Sequence, residues 1–255
     1  MTRYLLCLTL PLALLAALPA RAESVLSDIL ARGTLRVGLT GDYRPFSIKE
    51  ADGQFSGMDV DAAEALAKSM GVKLEIVPTA WPTLTADLLA NKYDIAMGGI
   101  TITLERAKTA YFSTPVMRSG KTPIARCTDK DKFGTLAQID QPGVKVIVNP
   151  GGTNERFAKA NIKQAEIVGF PNNATIFEEI VAGHADVMMT DAVETRLQQK
   201  LHPELCAIHP DEPFDHSMLG YMLPQDMPLQ QYVDQFLAIE QTSGARDKLL
   251  AKWLP

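Results

Sequence analysis

Two nine-residue stretches of this chain share one plan: L-A-N-K-Y-D-I-A-M at 89–97 and V-A-G-H-A-D-V-M-M at 181–189. Each reads as a helix end, a tight turn, an Asp and then a short buried strand, and each strand runs into small polar residues. Around both stretches, helical and strand patterns alternate. Two such βα series predict two α/β lobes. Nine residues can also coincide by chance, so the prediction needs the rest of the chain to agree. If the lobes face each other, Gly98–Thr101 and Thr190–Glu194 lie across one cleft, at strand ends where α/β sheets bind ligands.

The N-terminus reads as an address rather than as structure. Arg3 precedes an apolar run from Leu5 to Leu18, and Ala20-Arg21-Ala22 has the A-x-A form of a cleavage site. Residues 1–22 are therefore expected to be a secretory signal peptide, leaving an exported mature chain with no membrane anchor after cleavage. Export makes the two remaining cysteines, Cys127 and Cys206, candidates for a disulfide, the alternative being two separate buried thiols. The formal net charge is −5 with the signs interspersed. No basic run with interleaved aromatics occurs, which argues against a nucleic-acid partner.

In chain order, a helix is expected over 24–32 with Gly33 ending it, and a strand over 34–39. A helix follows over 59–70, a strand over 72–77, and a helix with Pro82 in its first turn. A strand at 94–97 leads to Gly98-Gly99-Ile100-Thr101, and a short helix starts at Leu104. Residues 115–126 read as an extended crossover. Further strands are expected at 145–148, 166–169, 186–189 and 205–208. Helices are expected from Thr153, from Asn173 and from Asp191, and two more close the chain.

Several residues are candidates for chemistry, each with an ordinary alternative. Arg106 can hold a carboxylate in two-point fashion or can pair with Glu105 on the surface. N-P-G-G-T-N-E (149–155) is a glycine-rich turn before a helix, able to bind an anion with Thr153 as cap, or simply a capped turn. Lys121 either faces the cleft or is exposed. Tyr43 and Trp81 could wall a ring-shaped ligand or pack against their own lobe's surface. The four histidines lack metal-ligand spacing, so no metal site is expected. D-A-V-E (191–194) fits a capping box, with Asp191 as cap and Glu194 at its third position. Local chemistry favours that cap over an acid, since a helix N-terminus stabilises carboxylate.

The motifs together resemble a known family. L-R-V-G-L-T-G-D-Y-R-P-F-S, F-S-G-M-D-V-D, G-G-I-T-I-T-L-E-R and the G-G-T turn are similar to those of the family-3 periplasmic solute-binding proteins, the polar amino-acid receptors of ABC importers. P-T-x-W-P-x-L, Q-I-D-Q-P-G-V, I-V-N-P-G-G-T-N-E, D-x-M-M-T-D-A-x-E and L-H-P-E-L-C-A-x-H-P resemble, more closely, the periplasmic cyclohexadienyl dehydratases. This match includes both mature cysteines.

The resemblance implies a two-lobe periplasmic-binding-protein fold (type II), each lobe a mixed sheet flanked by helices, with the ligand cleft between them. It implies one lobe from 23–122 plus 220–255, the other from 123–219, and hinge strands near 121–125 and 216–221. It implies a periplasmic enzyme that converts prephenate to phenylpyruvate and arogenate to phenylalanine without a cofactor. The general acid falls on Glu194, and the pocket residues on Tyr43, Trp81, Thr101, Arg106, Lys121, Thr153, Asn154 and Asp191. The alternative is a non-catalytic amino-acid receptor, in which Asp191 grips an α-ammonium and Glu194 only caps.

Overall fold

The computed structural model describes residues 24–254, so the expected signal peptide lies outside the described residues. Two five-stranded sheets carry the fold. In the first, the strand order is Lys73–Pro78, Thr34–Leu39, Ile95–Ala96, Met222–Leu223, Tyr111–Phe112. In the second it is Glu166–Gly169, Lys145–Val148, Val187–Asp191, Lys121–Arg126, Leu205–Ala207. Each sheet has three parallel strands and then an antiparallel one. Separate apolar cores lie against the two sheets, one around Leu35, Val37, Leu66 and Val233, the other around Val146, Val187, Met189 and Ala158. No helix of the described residues is long and apolar enough to cross a membrane.

The two echoed stretches occupy the same place in the two sheets, as the third parallel strand. Their aspartates explain the repeat. The Asp94 N–H donates to the Arg36 carbonyl at 2.9 Å, and its carboxylate accepts from the Arg36 N–H at 2.8 Å. The Asp186 N–H donates to the Lys145 carbonyl at 2.9 Å, and its carboxylate accepts from the Lys145 N–H at 2.9 Å. Each Asp thus closes a ring with one residue of the neighbouring strand and fixes the register before the strand begins. A guanidinium neutralises each carboxylate, Arg36 at 2.7 Å on Asp94 and Arg126 at 3.0 Å on Asp186.

Short strands link the sheets. Met117–Ser119 pairs antiparallel with Ser217–Leu219. Residues 121–125 follow directly and run inside the second sheet, bonded on both edges. Most expected elements stand where the patterns put them. Two do not. Pro82 lies in the turn before the helix Leu84–Leu89 rather than in its first turn. The helix expected from Asn173 begins at Ile176, leaving Asn173 in a loop.

Cys127 and Cys206 form a disulfide across a sequence separation of 79. It ties the end of Lys121–Arg126 to the neighbouring strand Leu205–Ala207 and encloses most of the second sheet. Restricting the unfolded chain over so long a loop contributes about 4 kcal/mol on the chain-entropy model. Reduction is therefore expected to lower the melting temperature by several degrees, measured by circular dichroism with and without reductant under otherwise equal conditions. An unchanged melt would mean the bond adds nothing to stability.

Candidate functional site

The site forms where the parallel strands of both sheets end. Following the strands of the first sheet come Asp42 and Tyr43, Trp81, and Gly98–Thr101. Those of the second lead into Gly151–Asn154, Asn173, and Thr190–Glu194, the last beginning within the strand Val187–Asp191. All converge on one cleft, the position at which open α/β sheets bind ligands.

On the first side, Gly98 and Gly99 both have left-handed φ values, 107° and 72°. Their N–H groups donate to one buried oxygen of Asp59, at 2.8 and 2.9 Å. A Cβ on Gly99 would stand 2.5 Å from the Phe46 ring and 2.7 Å from the Tyr43 ring, so only glycine lets the aromatics pack onto this loop. Arg106 projects back from the short helix Leu104–Ala107, which Thr103 caps. Its guanidinium donates to the Thr101 carbonyl at 2.8 Å. Arg106 is buried and pairs with no carboxylate among the described residues. Burial, and then the Arg156 charge, bring its pKa down to about 10.

Tyr43 packs against Phe46 at 5.0 Å and edge-on to Trp81 at 5.7 Å. Trp81 is held in turn by its indole N–H, which donates to Asp42 Oδ1 at 3.0 Å. Burial pushes the Asp42 carboxyl up and the Tyr43 hydroxyl well up, the latter with help from the Asp191 and Glu194 charges.

On the second side, the sequence suggested a capping box at 191–194, and the structure corrects it. Asp191 occupies the N-cap position of the helix Ala192–Leu201 but makes no side-chain capping bond. Its carboxylate accepts instead from the Tyr43 hydroxyl at 2.6 Å, the Lys121 ammonium at 3.0 Å and the Ser119 hydroxyl at 3.2 Å. Lys121 is 2% exposed, which rules out the surface alternative. Glu194 does not reach back to the N-cap either. Its Oε2 accepts from the Thr190 hydroxyl at 2.5 Å, and the Thr190 oxygen accepts from the Asn154 amide at 2.9 Å.

Glu194 is 1% exposed. Burial pushes its pKa from 4.5 to about 8, and the Asp191 charge adds to this, against the opposing pull of the Thr190 hydroxyl and Lys121. Desolvation thus outweighs the helix dipole that favours carboxylate here.

Thr153 also differs from expectation. Gly152 is the N-cap of the helix Thr153–Asn161, with no side-chain capping bond, and Thr153 is its first helical residue. The Thr153 hydroxyl meets the Thr101 hydroxyl across the cleft at 3.2 Å. Two more bonds cross the cleft: Tyr43 to Asp191, and Asn173 to the Asp42 carbonyl at 3.0 Å.

These contacts close the cleft over a cavity lined by Tyr43, Trp81, Thr101, Thr153, Asn154 and Asp191 among the expected residues, and by Asn173 besides. Arg106 and Lys121 stand just behind that lining, against Thr101 and Asp191, and Glu194 bonds Thr190, whose hydroxyl meets the lining residue Asn154. Tyr43 and Asp42, on the opposite side, couple electrostatically with Glu194.

Sequence reading left out Asn173, which lines the cavity, and Ser119, which bonds Asp191. Asn173 carried one usable signal, its place in the loop after the parallel strand Glu166–Gly169. Ser119 carried none, because only the pairing of strands brings it to Asp191.

Comparison with known proteins agrees with this architecture. Residues 35–255 match the family model for bacterial extracellular solute-binding proteins, family 3. The chain is 55% identical to a cyclohexadienyl dehydratase of Pseudomonas aeruginosa, over 95% of this chain and 91% of that protein. It is 30% identical to the L-cystine-binding protein TcyJ of Escherichia coli K12, over 91% of this chain and 86% of that one. Among solved structures, the ancestral amino acid-binding protein AncCDT-1, a precursor of cyclohexadienyl dehydratase, superposes with a TM-score of 0.85 at 41% identity, covering 91% of this chain and all of its own. An ancestral cyclohexadienyl dehydratase, AncCDT-3, shares 54% identity over 91% of this chain and 97% of its own, with a TM-score of 0.58.

Proposed function

The chain belongs to the family-3 bacterial extracellular solute-binding proteins, and from that premise we propose that it is a member turned to catalysis, a periplasmic cyclohexadienyl dehydratase. It converts prephenate to phenylpyruvate and arogenate to phenylalanine. The observation that carries this reading beyond the family is Glu194. A pure receptor has no use for a carboxyl buried at the cleft and held protonated near neutral pH, whereas an acid catalyst requires one.

The substrate carries two carboxylates and a ring hydroxyl. Arg106, which pairs with no carboxylate among the described residues, gives the cleft its positive charge, Lys121 being matched by Asp191, and Thr101, Thr153 and Asn154 supply hydrogen bonds for orientation. Tyr43 and Trp81 wall the ring. Glu194 gives its proton to the ring hydroxyl. The carbon–oxygen bond breaks and water leaves. The ring carboxylate departs as carbon dioxide, and the electron pair of its carbon–carbon bond enters the ring to complete the aromatic system. Glu194 then regains a proton from solvent. No cofactor enters this scheme, because aromatisation supplies the driving force. The protein has to orient the substrate, exclude water and deliver one proton.

Entry requires the lobes to part, which separates Tyr43 from Asp191 and Thr101 from Thr153 and uncovers Glu194. We place the flexing region at the ribbon of Met117–Ser119 and Ser217–Leu219, with the lobes divided near residues 122 and 220. The receptor alternative asks Asp191 to hold an α-ammonium. That carboxylate already accepts from three donors, which counts against it.

Purified protein mixed with prephenate at neutral pH should form phenylpyruvate well above the spontaneous rate; turnover equal to the protein-free control would refute the reaction. The pH profile tests the acid itself. Because the protonated carboxyl is the active form, kcat should be flat between pH 6 and 7 and fall as pH rises through about 8. A bound dianion disfavours ionisation further and would move the falling limb upward. A limb below pH 6, after subtraction of the spontaneous reaction, would exclude Glu194 as the acid.

A further inference from the structure

The geometry points to Asn173 as a substrate-binding residue: its side-chain carbonyl accepts the proton of the ring hydroxyl, while its amide end latches the two lobes together. This rests on the dehydratase reading and extends it. Asn173 is 3% exposed and lines the cavity. Its Nδ2 donates to the backbone carbonyl of Asp42 across the cleft at 3.0 Å. A backbone carbonyl can only accept, so this bond fixes which end of the amide is which. Oδ1 is therefore the end left over, and it is buried without a hydrogen-bond partner. A buried acceptor with no donor costs free energy unless a ligand supplies one.

Asn154 also has an unpartnered Oδ1, but its amide donates to the Thr190 hydroxyl and, at 3.4 Å, to the Asn149 side chain, both on its own side of the cleft. Asn173 is thus the unpartnered acceptor of this cavity whose amide end is held by the opposite side.

The substrates narrow what that acceptor takes. In prephenate both acids are ionised and the keto group only accepts, so the ring hydroxyl is its single donor. Arogenate carries the same hydroxyl, so a site that serves both can place its acceptor there. The reaction asks for this as well. Glu194 must deliver its proton to a lone pair on the hydroxyl oxygen, so the hydroxyl's own hydrogen has to point elsewhere, at an acceptor other than the acid. Because the Asp42 carbonyl belongs to the opposite lobe, Asn173 presents that acceptor in its fixed orientation when the cleft is closed. Hydroxyl recognition and closure are then one event.

The test compares two ligands of equal charge: prephenate and its analogue with hydrogen in place of the ring hydroxyl. Binding is measured by titration calorimetry in the Glu194→Gln background, where prephenate persists. Without further change, prephenate should bind at least about tenfold tighter than the analogue, the worth of one buried hydrogen bond. Adding Asn173→Ala should weaken both ligands through loss of the latch and remove most of the tenfold gap. Asn173→Leu, which fills the volume but accepts nothing, should do the same and serves if the Ala variant does not fold. A gap that survives in either variant overturns the proposal, since a mere latch would weaken both ligands equally. Wild-type turnover of prephenate is scored separately, so a chain that is no dehydratase shows as absent turnover and not as an unchanged ratio.

Discussion

Glu194→Gln is expected to lower kcat by about 10²–10⁴-fold, the usual worth of a positioned general acid, and to leave the protein more stable than the wild type at alkaline pH. The second half follows from the same burial as the first. In the folded chain Glu194 keeps its proton up to about pH 8, whereas an ordinary glutamate ionises near 4.5. Between those values the folded state binds a proton that the unfolded state has released. Folding is therefore weakened steadily as pH rises through that window. Glutamine has nothing to ionise and can still accept from the Thr190 hydroxyl through its amide oxygen. Its advantage in melting temperature over the wild type should be near zero at pH 4 and grow towards pH 8–9. Thermal melts at three pH values, with steady-state kinetics on the same samples, read both effects. If Glu194 were a helix cap, the substitution would cost stability at every pH and spare catalysis. Full activity in the variant would refute the acid assignment.

The string D-A-V-E shows where sequence reading stops. Read locally, it is a capping box, because the spacing and the residue types satisfy that motif. What decides otherwise is tertiary. Asp191 finds Lys121 and Tyr43, 70 and 148 positions away in the chain, and three donors there outbid one helical N–H. Glu194 then has Thr190 within reach in a dry environment, and nothing in four consecutive residues reports dryness. Thr153 failed as a cap for a similar reason, since its partner, Thr101, belongs to the other side of the cleft.

The elements themselves were legible where hydrophobic period and glycine stops agreed. Gly33 and Gly71 end their helices in left-handed conformation as their position predicts. The echo at 89–97 and 181–189 was legible as pattern, but its cause, an aspartate closing a ring with the next strand, needed the register. The aromatic walls and Arg106 were recognisable as residue types. That Arg106 stands behind Thr101, and not at the cavity surface, was not.

Lys121→Met should cost about 3–5 kcal/mol at pH 8, because it strands the Asp191 carboxylate in the interior. Both side chains are nearly inaccessible, at 2% and 3%. In the wild type the ammonium cancels the charge, and the Tyr43 and Ser119 hydroxyls complete the shell. Without Lys121 those two neutral donors remain, which do not replace a countercharge in a low-dielectric site. For a chain of this size the loss corresponds to a fall in melting temperature of about 10 °C. Lys121→Met combined with Asp191→Asn removes the stranded charge and should recover more than half of the lost stability, while neither variant recovers activity. That recovery separates a buried charge from lost packing of the lysine stem, because packing would stay lost in the double variant. A single variant that melts within about 2 °C of wild type would show that the pair is not what holds Asp191 in place. The Tyr43–Asp191 closure contact would then have to rest on the hydroxyls alone.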